Sequence, residues 1–180
     1  RNSQGKYVAF FDSDQWFTSG WGFEEALKIL EMHAEIGAVG WSGGWFFLHE
    51  ENLVGPVVDY FPYRARNADI ILKGFRIDIA YLSTAGLFLP RTIFEAIGGF
   101  DEAYDPTSFE DTDLSLMVKK LGFEIAYRDL TGIQHERHQT TRAHEKSTKY
   151  RELFSKNSEY FLNKWKNYRH FFLEKNKWMF

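Results

Sequence analysis

The sequence predicts an α/β domain, a sheet layered against helices. Three observations carry that expectation. Short apolar runs rich in β-branched and aromatic residues alternate with segments of helical periodicity. Glycines punctuate the ends of the helical segments, at Gly37, Gly98-Gly99 and Gly122. Hydrophobic residues are 44% of the 180 and charged residues 26%, which supports a packed core and argues against disorder.

The elements follow in order. Lys6–Phe11 is short, apolar and aromatic, and reads as a buried strand. Gly20–His33 reads as a helix, with Phe23, Ala26, Leu27 and Leu30 at spacings of three and four. Ala38–Leu48 and Leu53–Phe61, rich in Val, Trp and Phe, read as strands, while 67–74 fits neither pattern. Ile77–Leu89 again looks extended. Thr92–Ile97 is a short helix stopped by the glycine pair. Glu110–Leu121 is a longer helix, followed by Gly122 and a strand at Phe123–Tyr127. From Glu145 the pattern is helical, with Tyr150, Phe154, Phe161, Trp165, Tyr168 and Phe172 on one face.

Charge and composition exclude some functions. The net charge of −3 offers no broad basic footprint for nucleic acid. Cysteine is absent, which removes disulfides and thiolate metal sites and fits a reducing, cytoplasmic setting. No apolar run approaches the roughly 18–20 residues that span a bilayer. The chain opens at Arg1 and enters a strand almost at once, which reads as a piece of a longer protein.

The first strand ends in "FFDSDQW". Residues at i and i+2 of a strand share a side, so Asp12 and Asp14 are expected to face one point. The carboxyl end of a strand is where open α/β sheets place ligands. Two hard oxygen donors there suit Mg2+ or Mn2+, which could bridge to a diphosphate. Gln15 and Trp16 stand where a calcium loop needs a ligand and a glycine. The plainer reading is a solvated turn with aspartate as an Asx or N-cap residue.

A second acidic cluster, "SFEDTDLSLMVKKLG", sets Glu110, Asp111 and Asp113 at a helix start. Ser108 and Asp111 fit a capping box, and acids favour a helix N-terminus. Alternatively, one of these carboxylates is a general base. "GIQHERHQTT" adds His135 and His138 after the last strand, as nitrogen donors, phosphate contacts or plain loop residues. There is no HExxH pattern to suggest zinc.

The order of these pieces resembles the family 2 glycosyltransferases of the GT-A fold. Their pattern runs from an apolar strand into DxD, through an R…F…IGGFDE element, an EDxDL helix and a G-[FY]-x-I-x-Y strand, to a histidine. Here it reads "DSD", "RTIFEAIGGFDEAYDPTSFEDTDLSLMVKKLGFEIAY" and "GIQHERH", with Asn157, Phe161 and Trp165 matching an "N…F…KW" ending. The resemblance implies a partial GT-A fold, a mixed sheet flanked by helices. It implies a transferase portion at 1–142 and a C-terminal helical extension at 143–180 packed on it. It also implies metal-dependent transfer of a sugar from a nucleotide-diphosphate sugar to an acceptor hydroxyl, with inversion.

Position by position, the resemblance implies that Asp12 lies by the donor ribose or the metal. Asp14 would bind Mn2+ or Mg2+, with His135 helping to hold the metal or the diphosphate. Asp111 would be the catalytic base, with Glu110 beside it to orient the acceptor. Ser83, Thr84, Ala85 and Gly86 match a small-residue stretch near the donor sugar, and Trp16, Trp41 and Trp45 are set on the acceptor side. The acceptor would be a glycan, a lipid-linked group or a protein. Family members carry a nucleotide-binding half before the DxD strand. The segment alone is therefore expected to bind nucleotide-sugar poorly, to be inactive, and to form a homodimer through an uncovered strand edge.

Two other readings compete. One is a non-catalytic carbohydrate- or protein-binding domain on a transferase scaffold; the other is a metal-dependent nucleotidyltransferase. The C-terminal segment from Lys146 carries nine Lys/Arg against three Glu. It reads as a helix packed on the domain, or as a basic amphipathic helix making peripheral contact with an anionic membrane.

Overall fold

The computed structural model describes residues 4–49, 52–61, 64–65, 74–135 and 147–171. Its main sheet has five strands, in the order β1 (Tyr7–Phe10), β9 (Leu87–Pro90), β3 (Ile36–Gly40), β10 (Glu124–Arg128) and β7 (Phe75–Arg76). β3 and β10 run parallel and the other pairs antiparallel, so the sheet is mixed. The central strand β3 is buried at every residue, as its apolar run dictates. β1 lies at an outer edge.

A second sheet has the order β6 (Arg64–Ala65), β5 (Asn52–Phe61), β4 (Gly43–His49) and β8 (Tyr81–Leu82). A two-stranded ribbon pairs β2 (Gln15–Phe17) with β11 (Ile133–His135). The helices are α1 (Trp21–Met32), α2 (Arg91–Ile97), α3 (Glu110–Lys120) and α4 (Thr148–Trp165).

The two long extended runs read from the sequence each break in the middle. Ala38–Leu48 becomes β3 and β4, and Ile77–Leu89 contains β8 and β9. Both breaks fall at the same level. Gly40 pairs with Leu87 in the main sheet, and Gly43 pairs with Leu82 in the second. Between them, Ser83 N–H donates to Ser42 O at 2.9 Å. The pair of strands thus passes from one sheet to the other together, a change that alternation alone does not encode.

Packing explains the helices. α1 buries Ala26 and Leu30 against Ile36, Val39, Trp41 and Phe88. α3 is covered on two sides: Leu114 and Val118 face the main sheet, while Leu116 faces α4 through Phe161 and Trp165. α4 therefore turns Phe154, Phe161 and Trp165 inward and leaves Lys149, Arg151, Lys156 and Lys166 exposed, while Lys164 turns toward α3. No helix among the described residues is long and apolar enough to cross a membrane.

The expected capping box does not form. Phe109 is the N-cap of α3, in the left-handed region, and no side chain caps the helix. Asp113 is equally unlike a first-turn surface acid. It is 3% exposed. Its carboxylate accepts from Tyr104 Oη at 3.1 Å, Lys164 Nζ at 2.8 Å and Trp165 Nε1 at 2.7 Å. Lys164 also donates to Asp101 at 2.7 Å.

Removing one partner of a buried pair costs about 3–5 kcal/mol, because the other charge is left uncompensated. Asp113→Ala is expected to lose that much unfolding free energy in urea titration. Asp113→Asn, which keeps an acceptor for Tyr104 and Trp165, should lose less. The pH dependence follows from the partners. Burial alone would raise Asp101, but Lys164, the Ala103 amide and Tyr160 outweigh it and hold its carboxyl low. Burial would lower Lys164, and Asp101 and Asp113 outweigh it and hold it high. The Asp101 contribution is present above the unfolded value of about 3.9 and is lost as pH falls through its lower folded value. The Lys164 contribution is present below about 10.4 and is lost as pH rises through its higher folded value. These two contributions should therefore both be fully present in between, and Lys164→Met should lessen the alkaline decline of the urea midpoint.

Candidate functional site

The site begins where β1 stops. The strand ends at Phe10, and Asp12 to Gln15 form a turn closed by Gln15 N–H donating to Asp12 O at 3.2 Å. Gln15 also accepts from the Asp12 amide, through Oε1 at 2.7 Å. The two aspartates thus converge through a turn rather than through strand alternation. β2 then pairs with β11, with Gln15 opposite His135. Directly opposed residues share a face. The ribbon therefore delivers His135 to the aspartates, with Nε2 at 3.0 Å from Asp14 Oδ1 and 3.6 Å from Asp12 Oδ2. His135 is nearly buried, Asp14 partly so, and Asp12 is the most open of the three.

The small-residue stretch packs beside them. Gly86 N–H donates to Phe10 O at 3.0 Å and to Thr84 O at 2.8 Å, tying the 83–86 loop to the end of β1. Ser83 Oγ accepts from the Ala85 amide. Gly86 has φ +96°, and a Cβ there would fall inside the Trp41 indole. Trp41 is 2% exposed and donates its indole N–H to Ala85 O. It props this loop from the core. Trp16 is 49% exposed on β2. The side chain of Trp45, on β4, lies outside the described residues, as does His138.

The third part comes from the loop before α3. Ser108 and Phe109 both have positive φ, at 82° and 77°. Phe109 is buried, and the next two residues are Glu110 and Asp111. Burial raises the Glu110 carboxyl above the ordinary range. Its own amide and that of Ser108 oppose the shift, while the Asp12 and Asp105 carboxylates add to it. Glu110 therefore feels the aspartate cluster directly. Its Oε2 is buried without a hydrogen bond among the described residues. Asp111 Oδ1 accepts from the Thr112 amide at 2.7 Å and from Thr112 Oγ1 at 3.2 Å, which fixes the carboxylate plane. Asp113, the remaining acid of this cluster, points instead into the knot with Lys164.

The donor set fits a divalent cation. Asp12, Asp14 and His135 each offer one atom, all within 4.8 Å of one another. The 3.0 and 3.6 Å separations of His135 Nε2 from Asp14 and Asp12 suit donors ringed about a small ion at roughly 2.0–2.2 Å each. Two carboxylates and an imidazole match Mn2+ or Mg2+ chemistry and leave positions for other oxygens. The electrostatics agree: burial raises the Asp12 carboxyl, His135 opposes, and Asp14 raises it further. Sequence reasoning missed Gln15 as the closure of the turn and the β2–β11 ribbon as the carrier of His135. Three-residue strands give too little alternation to be seen.

Comparison with known proteins bears on the whole arrangement. Residues 1–154 match the family described as Glycosyltransferase like family 2. A protein of Sinorhizobium fredii (strain NBRC 101917 / NGR234), described as uncharacterized protein y4gI, is 28% identical over 93 residues. That stretch is 52% of this chain and 10% of the relative, so the match spans about a tenth of that protein's length. The family match extends from the first described strand through the DxD turn, the GGFDE and EDxDL segments and His135 into α4, and on that extent the chain belongs to the glycosyltransferase-like family 2.

Proposed function

We propose that this chain carries the catalytic side of an inverting, metal-dependent glycosyltransferase acting on a nucleotide-diphosphate sugar. The observation that carries the reading is the convergence of Asp12, Asp14 and His135 within 4.8 Å, with the Glu110 carboxyl close enough to feel Asp12. Asp14, Asp12 and His135 would hold Mn2+ or Mg2+. Such an ion, when bound, offsets the charge that builds on a leaving nucleoside diphosphate.

The chain's own residues do the rest. Asp111, its carboxylate oriented by Thr112, takes the proton of the acceptor hydroxyl as that oxygen attacks the anomeric carbon. Glu110, beside it, orients the acceptor. Attack from the face opposite the leaving group inverts the anomeric centre. The Ser83–Gly86 loop, tied to Phe10 and propped by Trp41, lies where the donor sugar would sit. Trp16 offers an exposed ring for the acceptor, as aromatic faces do for sugars. The acceptor would be a glycan, a lipid-linked group or a protein, in a cytoplasmic or membrane-associated reaction.

Three measurements test this on the full protein. In calorimetric titration, MnCl2 should bind more tightly when a nucleoside diphosphate is present, and Asp14→Ala should abolish that enhancement. Asp111→Asn should slow acceptor-dependent release of nucleoside diphosphate by about 10²–10⁴-fold while leaving the donor KM within a few-fold. An unchanged rate in Asp111→Asn would remove it as the base. Trp16→Ala should raise the acceptor KM by roughly 3–10-fold, as loss of one stacking contact of about 0.5–1.5 kcal/mol requires.

A further inference from the structure

Helix α4 crosses the loop that leads into α3, and Asn157 sits at the crossing with no exposed surface. Its Nδ2 faces three backbone carbonyls: Tyr104 O at 2.9 Å, Thr107 O at 2.8 Å and Ser108 O at 3.2 Å. A primary amide has two hydrogens, so one is shared between carbonyls. Its Oδ1 is buried and makes no hydrogen bond among the described residues. Every polar contact of this side chain is therefore spent on that one loop.

The loop needs such a hold. Ser108 and Phe109 are consecutive non-glycine residues in the left-handed region, where Cβ crowds the backbone. A conformation of this kind persists only where its surroundings over-determine it. Here the surroundings are α4. Asn157 pins the carbonyls, and Phe154 and Phe161 pack on the Phe109 ring at centroid distances of 5.1 and 5.4 Å. Phe109 O then accepts from Asp113 N–H at 2.8 Å and starts α3. No side chain caps the helix, so the direction in which α3 launches Glu110 and Asp111 is set by this loop.

We propose that Asn157 is a positioning residue: by holding the Tyr104, Thr107 and Ser108 carbonyls from α4, it aims Glu110 and Asp111 at the space beside Asp12. The kinetic consequence rests on the transferase reading above; the geometric one does not. The Ser108 amide that opposes the rise of the Glu110 carboxyl belongs to the residue whose carbonyl Asn157 holds. Misplacement of a reacting group by about 1 Å can cost about a hundredfold in rate.

The test uses the full protein and two independent readouts, amide hydrogen exchange and turnover. Turnover is nucleoside diphosphate release from a panel of nucleoside-diphosphate sugars with MnCl2. Asn157→Ala should speed exchange at residues 107–112 at least tenfold while leaving α1 amides unchanged. It should lower kcat at least thirtyfold with the donor KM and the Mn2+ affinity within threefold. Leu162→Ala, which loosens the packing of the same helix while keeping Asn157 and its three carbonyl partners, should keep kcat within threefold. Ser108→Gly removes the penalty of the left-handed backbone, so adding it to Asn157→Ala should restore at least fivefold of the lost kcat. Unchanged exchange in Asn157→Ala overturns the proposal. So does an equal loss of kcat in Leu162→Ala, or a failure of Ser108→Gly to recover any. Should Asn157→Ala not fold, Asn157→Gln shifts the donor by one methylene, and an unchanged kcat there overturns it as well. If the unsubstituted protein turns over none of the donors, the transferase reading fails and the exchange result alone decides the clamp.

Discussion

The buried carboxylate of Asp113 is the constraint on which the rest of the molecule depends. A charge with 3% exposure is tolerable only when donors surround it. Tyr104, Lys164 and Trp165 supply them from the 3₁₀ turn at Glu102–Tyr104 and from α4. Two separate stretches of chain are thereby tied to one point on α3. Burial, then Asp113, pushes the Tyr104 hydroxyl far above its ordinary range, so it remains a donor throughout the working pH range. Lys164 reaches on to Asp101, which also takes the Tyr160 hydroxyl and the Ala103 amide. α4 is thus docked by directional bonds as well as by its aromatic stripe.

That docking sets how much of the chain could be read in advance. The helices were legible because each has one strongly periodic face; α3 and α4 lie within a residue or a few of where the pattern puts them. The sheet class was legible from alternation. The sheet switch at Trp41-Ser42 and Ser83–Gly86 was not, because an apolar run looks the same whether it stays in one sheet or crosses to another. Gly86 was the local signal. It stands where an indole leaves no room for a Cβ, which no periodicity reports. Asp113 was misleading for a related reason. Its neighbours in sequence are acids, and only its distant partners, 51 and 52 positions later in the chain, distinguish it from them.

The candidate site divides in the same way. Asp12, Asp14 and His135 were legible as candidates, through the DxD pattern and the histidine after the last strand. Their meeting within 4.8 Å was not. It depends on a four-residue turn and on a ribbon of two three-residue strands. Each is short, and each is specified by tertiary contacts rather than by local propensity. The capping box was the strongest local signal in this region, and tertiary packing overrode it: Ser108 gives its carbonyl to Asn157, and the loop takes a conformation its residues would not choose alone.

The same comparison explains why the acids of the site and the acid of the knot behave differently. Asp113 has full satisfaction and no access. Asp12 and Glu110 are less well satisfied: each is raised first by burial, each feels neighbouring carboxylates, and the Glu110 Oε2 lacks a hydrogen bond among the described residues. Arranged this way, the cluster subtracts from stability, since like charges held together in a partly buried space repel. It persists because α3 carries both kinds of acid on one rigid element. Asp113 anchors that element from its inner face through α4, and the anchor holds Glu110 and Asp111 in a place they would otherwise leave. The cost of assembling these carboxylates is thus met within one helical turn of them, where Tyr104 and α4 hold Asp113.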